Sequence, residues 1–248
     1  MTAAAPKALR HTEHVMGTVF SFTVRDPGPE AVAALRRIAA RLHEIDAVFS
    51  PYRADSDISR LDRGELTLDR CHPDVPEALA RCRELSAETA GYFTDRPAGR
   101  LDPSGWVKGW AVEEASRLLR AAGSAQHCVS GGGDVQTAGG PWRVGIADPL
   151  RPGALAATVT GHDLVVATSG TAERGPHIID PHTGRPATGL ASLTLVGRHL
   201  AHTDALATAA FAMGPAGALA FAARHAAVEA LAVDLTGTHH RTPGFPTA

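Results

Sequence analysis

His127-Cys128-Val129-Ser130-Gly131-Gly132-Gly133-Asp134 reads as a short strand running into three glycines and an acid. The glycines permit backbone that a Cβ would forbid, which suits a bound nucleotide or a tight turn equally well. Neither a G-x-G-x-x-G opening a helix nor a Walker A spacing is present, so the dinucleotide-fold and P-loop readings both fail. Further strand patterns follow at Trp142 to Ala147, Leu155 to Thr160, Leu164 to Thr168 and Leu193 to Val196. Upstream the pattern is helical. Val32, Leu35, Ile38, Leu42, Ile45 and Phe49 recur at spacings of three and four, one face of a long helix. Pro76 and Gly91 bracket a second helix with Leu79, Cys82 and Leu85 facing inward, and a third runs from about Ser104 to Ala122 and stops at Gly123. His14 to Val24, with Phe20, Phe22 and Val24 alternating, predicts an opening strand. A last helical region starts near Thr203, is broken by Gly214-Pro215, and gives way to a strand from Val228 to Leu235. Helices followed by strands, without βαβ alternation, predict an α+β fold. The expectation is a single domain over 1–248, a mixed β-sheet core flanked by helices, with 1–11 a disordered tail.

Composition bounds the function. Apolar residues make up 44% of the 248 and charged residues 20%, ordinary for a globular protein. A net charge of −2 without a Lys/Arg run leaves nucleic acid no electrostatic footprint. No stretch approaches the length of a membrane span, so no membrane insertion is expected. Cys71, Cys82 and Cys128 are odd in number and widely spaced, fitting neither a disulfide framework nor a zinc site. With no secretory signal pattern at the start, a cytoplasmic, reduced protein is expected.

Beyond the glycine loop, three segments carry chemistry, each with a plainer reading beside it. Leu101-Asp102-Pro103-Ser104-Gly105-Trp106-Val107-Lys108 runs through small residues into a helix, whose exposed N–H groups suit phosphate. The same residues also make a turn followed by a surface lysine. His177-Ile178-Ile179-Asp180 ahead of a Pro/Gly turn places an imidazole, the natural general base near neutrality, close to a carboxylate, or is a loop histidine beside a capped turn. Asp204 and Thr208 are i and i+4 on a helix, sharing one face as hard oxygen ligands of the kind Mg²⁺ takes, or as capping groups.

Order along the chain adds what the single segments lack. Met16-Gly17-Thr18, Ser50-Pro51-Tyr52, the segment Leu101 to Gly109, the glycine loop, Trp142 to Ile146 with Asp148-Pro149, Ala167-Thr168-Ser169-Gly170, His177 to Pro181 with Thr183-Gly184, and Asp204-Ala205-Leu206-Ala207-Thr208 follow in sequence. This ordered set resembles the ApbE family, the FAD:protein FMN transferases, over roughly residues 12 to 235. The resemblance implies an enzyme that binds FAD as substrate, uses Mg²⁺ (Mn²⁺ is the alternative), and transfers FMN to a Thr or Ser hydroxyl of an acceptor flavoprotein, releasing AMP. It implies Asp204, Thr208 and the Gly105 carbonyl as metal ligands. Met16, Tyr52, Tyr92, Phe93, Thr94, Asp102, Lys108, Ile178 and Ile179 would contact FAD. His177 would be the general base, with Lys108 assisting the leaving group. Two departures stand out: the connection from Ser169 to His177 is short and lacks the family's aromatic, and Thr94 follows Phe93 where the family places Asp. A flavin-binding protein that no longer transfers, and an Mg²⁺-dependent FAD pyrophosphatase, are the competing functions. A serine hydrolase at Ser169 is not supported, since no G-x-S-x-G elbow surrounds it.

Overall fold

The computed structural model describes residues 8–172 and 175–246. An opening hairpin pairs β1 (Ala8–Val15) with β2 (Thr18–Arg25). Helices α1 (Ala31–Phe49), α2 (Asp57–Asp62), α3 (Asp74–Glu88) and α4 (Ser104–Ala121) come next. Strands β3 (His127–Gly131), β4 (Asp134–Ala138), β5 (Trp142–Ala147), β6 (Leu155–Gly161), β7 (Val165–Gly170), β8 (Ile179–Asp180), β9 (Arg185–Pro186) and β10 (Leu190–Gly197) follow. The chain closes with α5 (Leu200–Ala212), α6 (Gly214–Arg224), β11 (Glu229–Asp234) and β12 (His239–Arg241).

The fold is α+β, as expected. Eight strands form one sheet in the order β1-β2-β3-β4-β7-β10-β11-β12, with antiparallel ladders throughout, while β5-β6 and β8-β9 form separate hairpins. Residues 8–11 are not a tail. They pair with β2 from Ala8↔Arg25 to His11↔Phe22, because β2 offers an edge long enough to hold them. Residues 1–7 lie outside the described residues. The single opening strand expected over His14 to Val24 is broken at Met16 (φ 55°) and Gly17 (φ 66°). Two consecutive left-handed residues make the two-residue hairpin turn whose twist matches its strands. On α1, Leu35, Ile38, Leu42, Ile45 and Phe49 are buried as predicted, but Val32 is 51% exposed and Ala31 and Ala34 take the inward positions of the first turn.

Helix α5 positions the site. It lies between α4 on one side and β7 and β10 on the other, and 11 of its 13 residues are buried. A helix apolar on every side is the signature of a fully internal element. Asp204 and Thr208 are therefore polar groups carried into the interior. Gly109 of α4 lets the two helices touch there: a Cβ would meet the Leu200 carbonyl at 2.9 Å and the Asp204 Cβ at 3.0 Å. Among the described residues, no helix is long and apolar enough to cross a membrane.

His127 at the start of β3 is fully buried, with Nε2 2.8 Å from Ser116 Oγ and Nδ1 3.0 Å from Ser124 Oγ. Burial, aided by the nearby Arg120 charge, lowers its pKa from 6.5 to about 4. The unfolded chain takes up this proton near pH 6.5 and the native state only near 4, so stability is lost as pH falls through that window. The loss reaches about 3 kcal/mol. Urea denaturation from pH 7 to 4 should show His127→Gln losing less stability than the parent by that margin; parallel curves would contradict the assignment.

Candidate active site

A single cavity of about 910 Å³ opens where the β1-β2 turn, the end of α1, the start of α4, the glycine loop, β5, β7, the 177–181 segment and α5 converge. Every candidate site residue named from the sequence lines it: Met16, Tyr52, Tyr92, Phe93, Thr94, Asp102, Gly105, Lys108, His177, Ile178, Ile179, Asp204 and Thr208. Specific ligand pockets span roughly 300–1,000 Å³, so this one suits a ligand of dinucleotide size.

Its floor is a charge cluster. Lys108, one turn into α4, ion-pairs with Asp134 and places Nζ 2.9 Å from Asp204 Oδ2. Asp134 is fully buried and Asp204 is 3% exposed. The second Asp134 oxygen accepts the Thr168 N–H at 3.0 Å. Thr208 Oγ1 lies 3.4 Å from Ser169 Oγ, as expected for a residue one turn beyond Asp204 on the same face. Gly105 sits above the Phe93 ring, which a Cβ would meet at 3.2 Å.

The rim is built differently. Tyr52 is 93% exposed, whereas Phe93 is buried in the core and shapes the cavity from behind. Asp102 makes a turn leading into α4, its Oδ1 accepting the Ser104 N–H at 3.0 Å. Thr94 Oγ1 accepts the Arg96 N–H at 3.0 Å. Tyr92 meets the His182 ring edge-on at 4.4 Å, and His182 Nε2 lies 3.1 Å from the Ala90 carbonyl, tying the 177–184 segment to the end of α3. Ile178 uses its carbonyl to accept the Ala187 N–H at 2.9 Å, and Ile179 pairs with Pro186. His177 is exposed, with Nδ1 3.1 Å from the Gly175 carbonyl. A ring nitrogen facing a carbonyl must carry the proton, which leaves Nε2 of the neutral imidazole as the acceptor. Glu173 and Arg174, in the short connection before His177, lie outside the described residues.

Sequence reasoning missed Asp134 and Ser169 as site groups. Asp134 had a signal, an acid directly after a glycine loop, but that pattern is also an ordinary turn. Asp148 lines the cavity, yet its carboxylate is occupied: the Leu150 and Arg151 N–H groups and Arg151 Nε hold it below the usual carboxylate range.

The donor set fits a hard divalent cation. Among the described residues no group of three or more His, Cys, Asp and Glu is arranged to hold a metal. Asp204, Thr208 and Gly105 offer oxygen only, the chemistry of Mg²⁺ with retained waters. Charge balance points the same way. Asp46, Asp102, Asp148 and Asp204 line the cavity, and among the described residues Lys108 is the only lysine or arginine that does. A phosphate-bearing ligand would meet net repulsion there without an added cation.

The sequence profile of the ApbE family matches residues 16–95 and 94–232. The chain belongs to the ApbE family. Curated relatives include a FAD:protein FMN transferase of Rhodobacter capsulatus, 35% identical over 150 residues, covering 54% of this chain and 29% of that protein. Another, from Treponema pallidum, is 35% identical over 176 residues, covering 57% of this chain and 48% of that protein. A third, from Vibrio cholerae, is 30% identical over 152 residues, 55% of this chain and 46% of that protein. The matched chain thus spans less than half the length of each. Among solved structures, the flavin transferase ApbE of Vibrio cholerae superposes with a TM-score of 0.84 at 20% identity, covering 97% of this chain and 99% of that one. The ApbE protein of Thermotoga maritima gives 0.87 at 20% identity, covering 96% and 98%. At that identity the superposition establishes that this ApbE-family chain shares their fold.

Proposed function

We propose that this ApbE-family chain is an Mg²⁺-dependent FAD:protein FMN transferase acting on a Thr or Ser hydroxyl of an acceptor protein, with AMP as the leaving product. The observation that carries the reading is one cavity of dinucleotide size with the Lys108–Asp204 pair at its floor, Asp134 buried behind Lys108, and a histidine at its edge.

Phosphoryl transfer needs charge neutralisation and alignment more than covalent help from the protein. Asp204 and Thr208, with the Gly105 carbonyl, would hold Mg²⁺, which supplies charge neutralisation at the pyrophosphate. Lys108 sets its ammonium against the same phosphates. His177 Nε2 takes the proton of the incoming hydroxyl; that oxygen bonds to the FMN phosphorus, and the pyrophosphate bridge breaks with its electron pair leaving on AMP. Met16, the exposed Tyr52, and Tyr92 to Thr94 enclose the flavin and adenine ends.

Because the floor recognises the pyrophosphate and not the flavin alone, FAD should bind more tightly than FMN or riboflavin in Mg²⁺. Titration calorimetry with the three ligands checks this, and equal affinity for FAD and FMN would count against the assignment.

A further inference from the structure

Asp134 is a carboxylate buried beneath the cavity floor, behind Lys108, to which the proposed reaction gives no part. It lies on β4 directly after the glycine loop, fully buried, with one oxygen fixed by the Thr168 N–H and the other turned to Lys108. Lys108 spans it and Asp204, so a single ammonium serves two buried carboxylates. The lysine stem runs under the glycine loop, where a Cβ on Gly132 would approach Lys108 Cδ to 3.1 Å. A side chain at that position would crowd the stem.

We infer that Lys108 is a movable counter-ion, with Asp134 its permanent anchor and Asp204 the carboxylate it yields when a divalent cation binds. This rests on the metal reading of Asp204 and extends it to the glycine loop. A buried carboxylate left without a partner is costly, so each of the two keeps a positive charge close by. A divalent cation on Asp204 would face the ammonium at short range, and like charges at such a distance in a partly buried site repel strongly. The lysine is the partner able to move, since its ammonium is a point charge on a flexible four-carbon stem. Asp134 is held by the strand and by Thr168 and stays. Two consequences follow for the free protein. Lys108 competes with the cation for Asp204, so the bare site binds metal more weakly than its ligands alone would. Asp134, as a positioning residue, moderates that competition by giving the ammonium a second anion. The three-glycine loop ending in Asp134 thereby gains a purpose: Gly132 clears the stem, and Asp134 holds the head.

The test uses Mn²⁺ alone, without flavin, on the full chain stripped of divalent cations, with free Mn²⁺ read by electron paramagnetic resonance. Lys108→Met should tighten Mn²⁺ binding on the order of tenfold, the scale of losing one competing charge in a partly buried site. Asp134→Asn should weaken it several-fold, because the ammonium then has only Asp204. The double variant Lys108→Met/Asp134→Asn removes a cation and an anion together and so keeps the buried charge balanced should Lys108→Met alone fail to fold. It should bind Mn²⁺ more tightly than Asp134→Asn. If the double variant binds no tighter than Asp134→Asn while Asp204→Asn abolishes binding, the counter-ion inference is wrong and the metal reading stands. If Asp204→Asn binds Mn²⁺ as the parent does, both are wrong.

Discussion

Replacing Asp204 by alanine should remove metal-dependent FAD turnover, by at least on the order of 10²–10³-fold, while leaving the protein folded. The size follows from what remains. Thr208 and a backbone carbonyl are too few protein ligands to hold a cation that already prefers to keep its waters. Retained folding follows from the charge cluster: without Asp204, Lys108 still has Asp134, one half-buried cation against one buried anion. The truncation also removes little volume from α5, so the packing against Gly109 persists. Turnover assayed across a Mg²⁺ titration, with circular dichroism as the folding control, decides the matter. Wild-type turnover at limiting Mg²⁺ would move the metal site elsewhere.

His177→Ala should lose FMN transfer by about 10²–10⁴-fold, the usual worth of one acid–base group, and keep its affinity for FAD. The split arises because proton removal from the acceptor hydroxyl belongs to the transition state and not to the ground-state complex. Geometry supports the separation. His177 is exposed in its loop and its Nδ1 is committed to the Gly175 carbonyl, so its loss removes no buried contact. The flanking segment stays tethered through the Ile178 carbonyl to Ala187 and through His182 to Ala90. Normal transfer by His177→Ala would end the general-base role, and so would failure to bind FAD.

Much of this was legible before any coordinates. The long helices announced themselves through period and punctuation: Leu35 to Phe49 on α1, and the Gly123 stop just beyond α4. Candidate residues scattered from Met16 to Thr208 converge on one cavity, because ordered motifs carry spatial information that isolated spacings lack. The remainder was hidden for physical reasons. His14 to Val24 is rich in β-branched and aromatic residues on both sides of Met16-Gly17, so a hairpin reads as one strand until the two positive φ angles show the turn. Residues 8–11 carry one large apolar side chain, Leu9, and sit on a sheet edge, where backbone pairing, invisible to hydrophobic pattern, does the ordering. Strand β4 begins with Asp134 and contains Gln136, which dilute its pattern, and with it the anchor of Lys108 went unseen. Helix α2, six residues long, is too short for periodicity to register.

Intact-mass spectrometry of an acceptor protein bearing a Thr or Ser flavinylation site, incubated with this chain, FAD and Mg²⁺, tests the central claim most directly. The account predicts an acceptor heavier by FMN less one water, with one AMP released per modified hydroxyl and no adduct when Mg²⁺ is chelated. An unmodified acceptor with FAD intact would contradict the account, as would free FMN and AMP accumulating beside an unmodified acceptor.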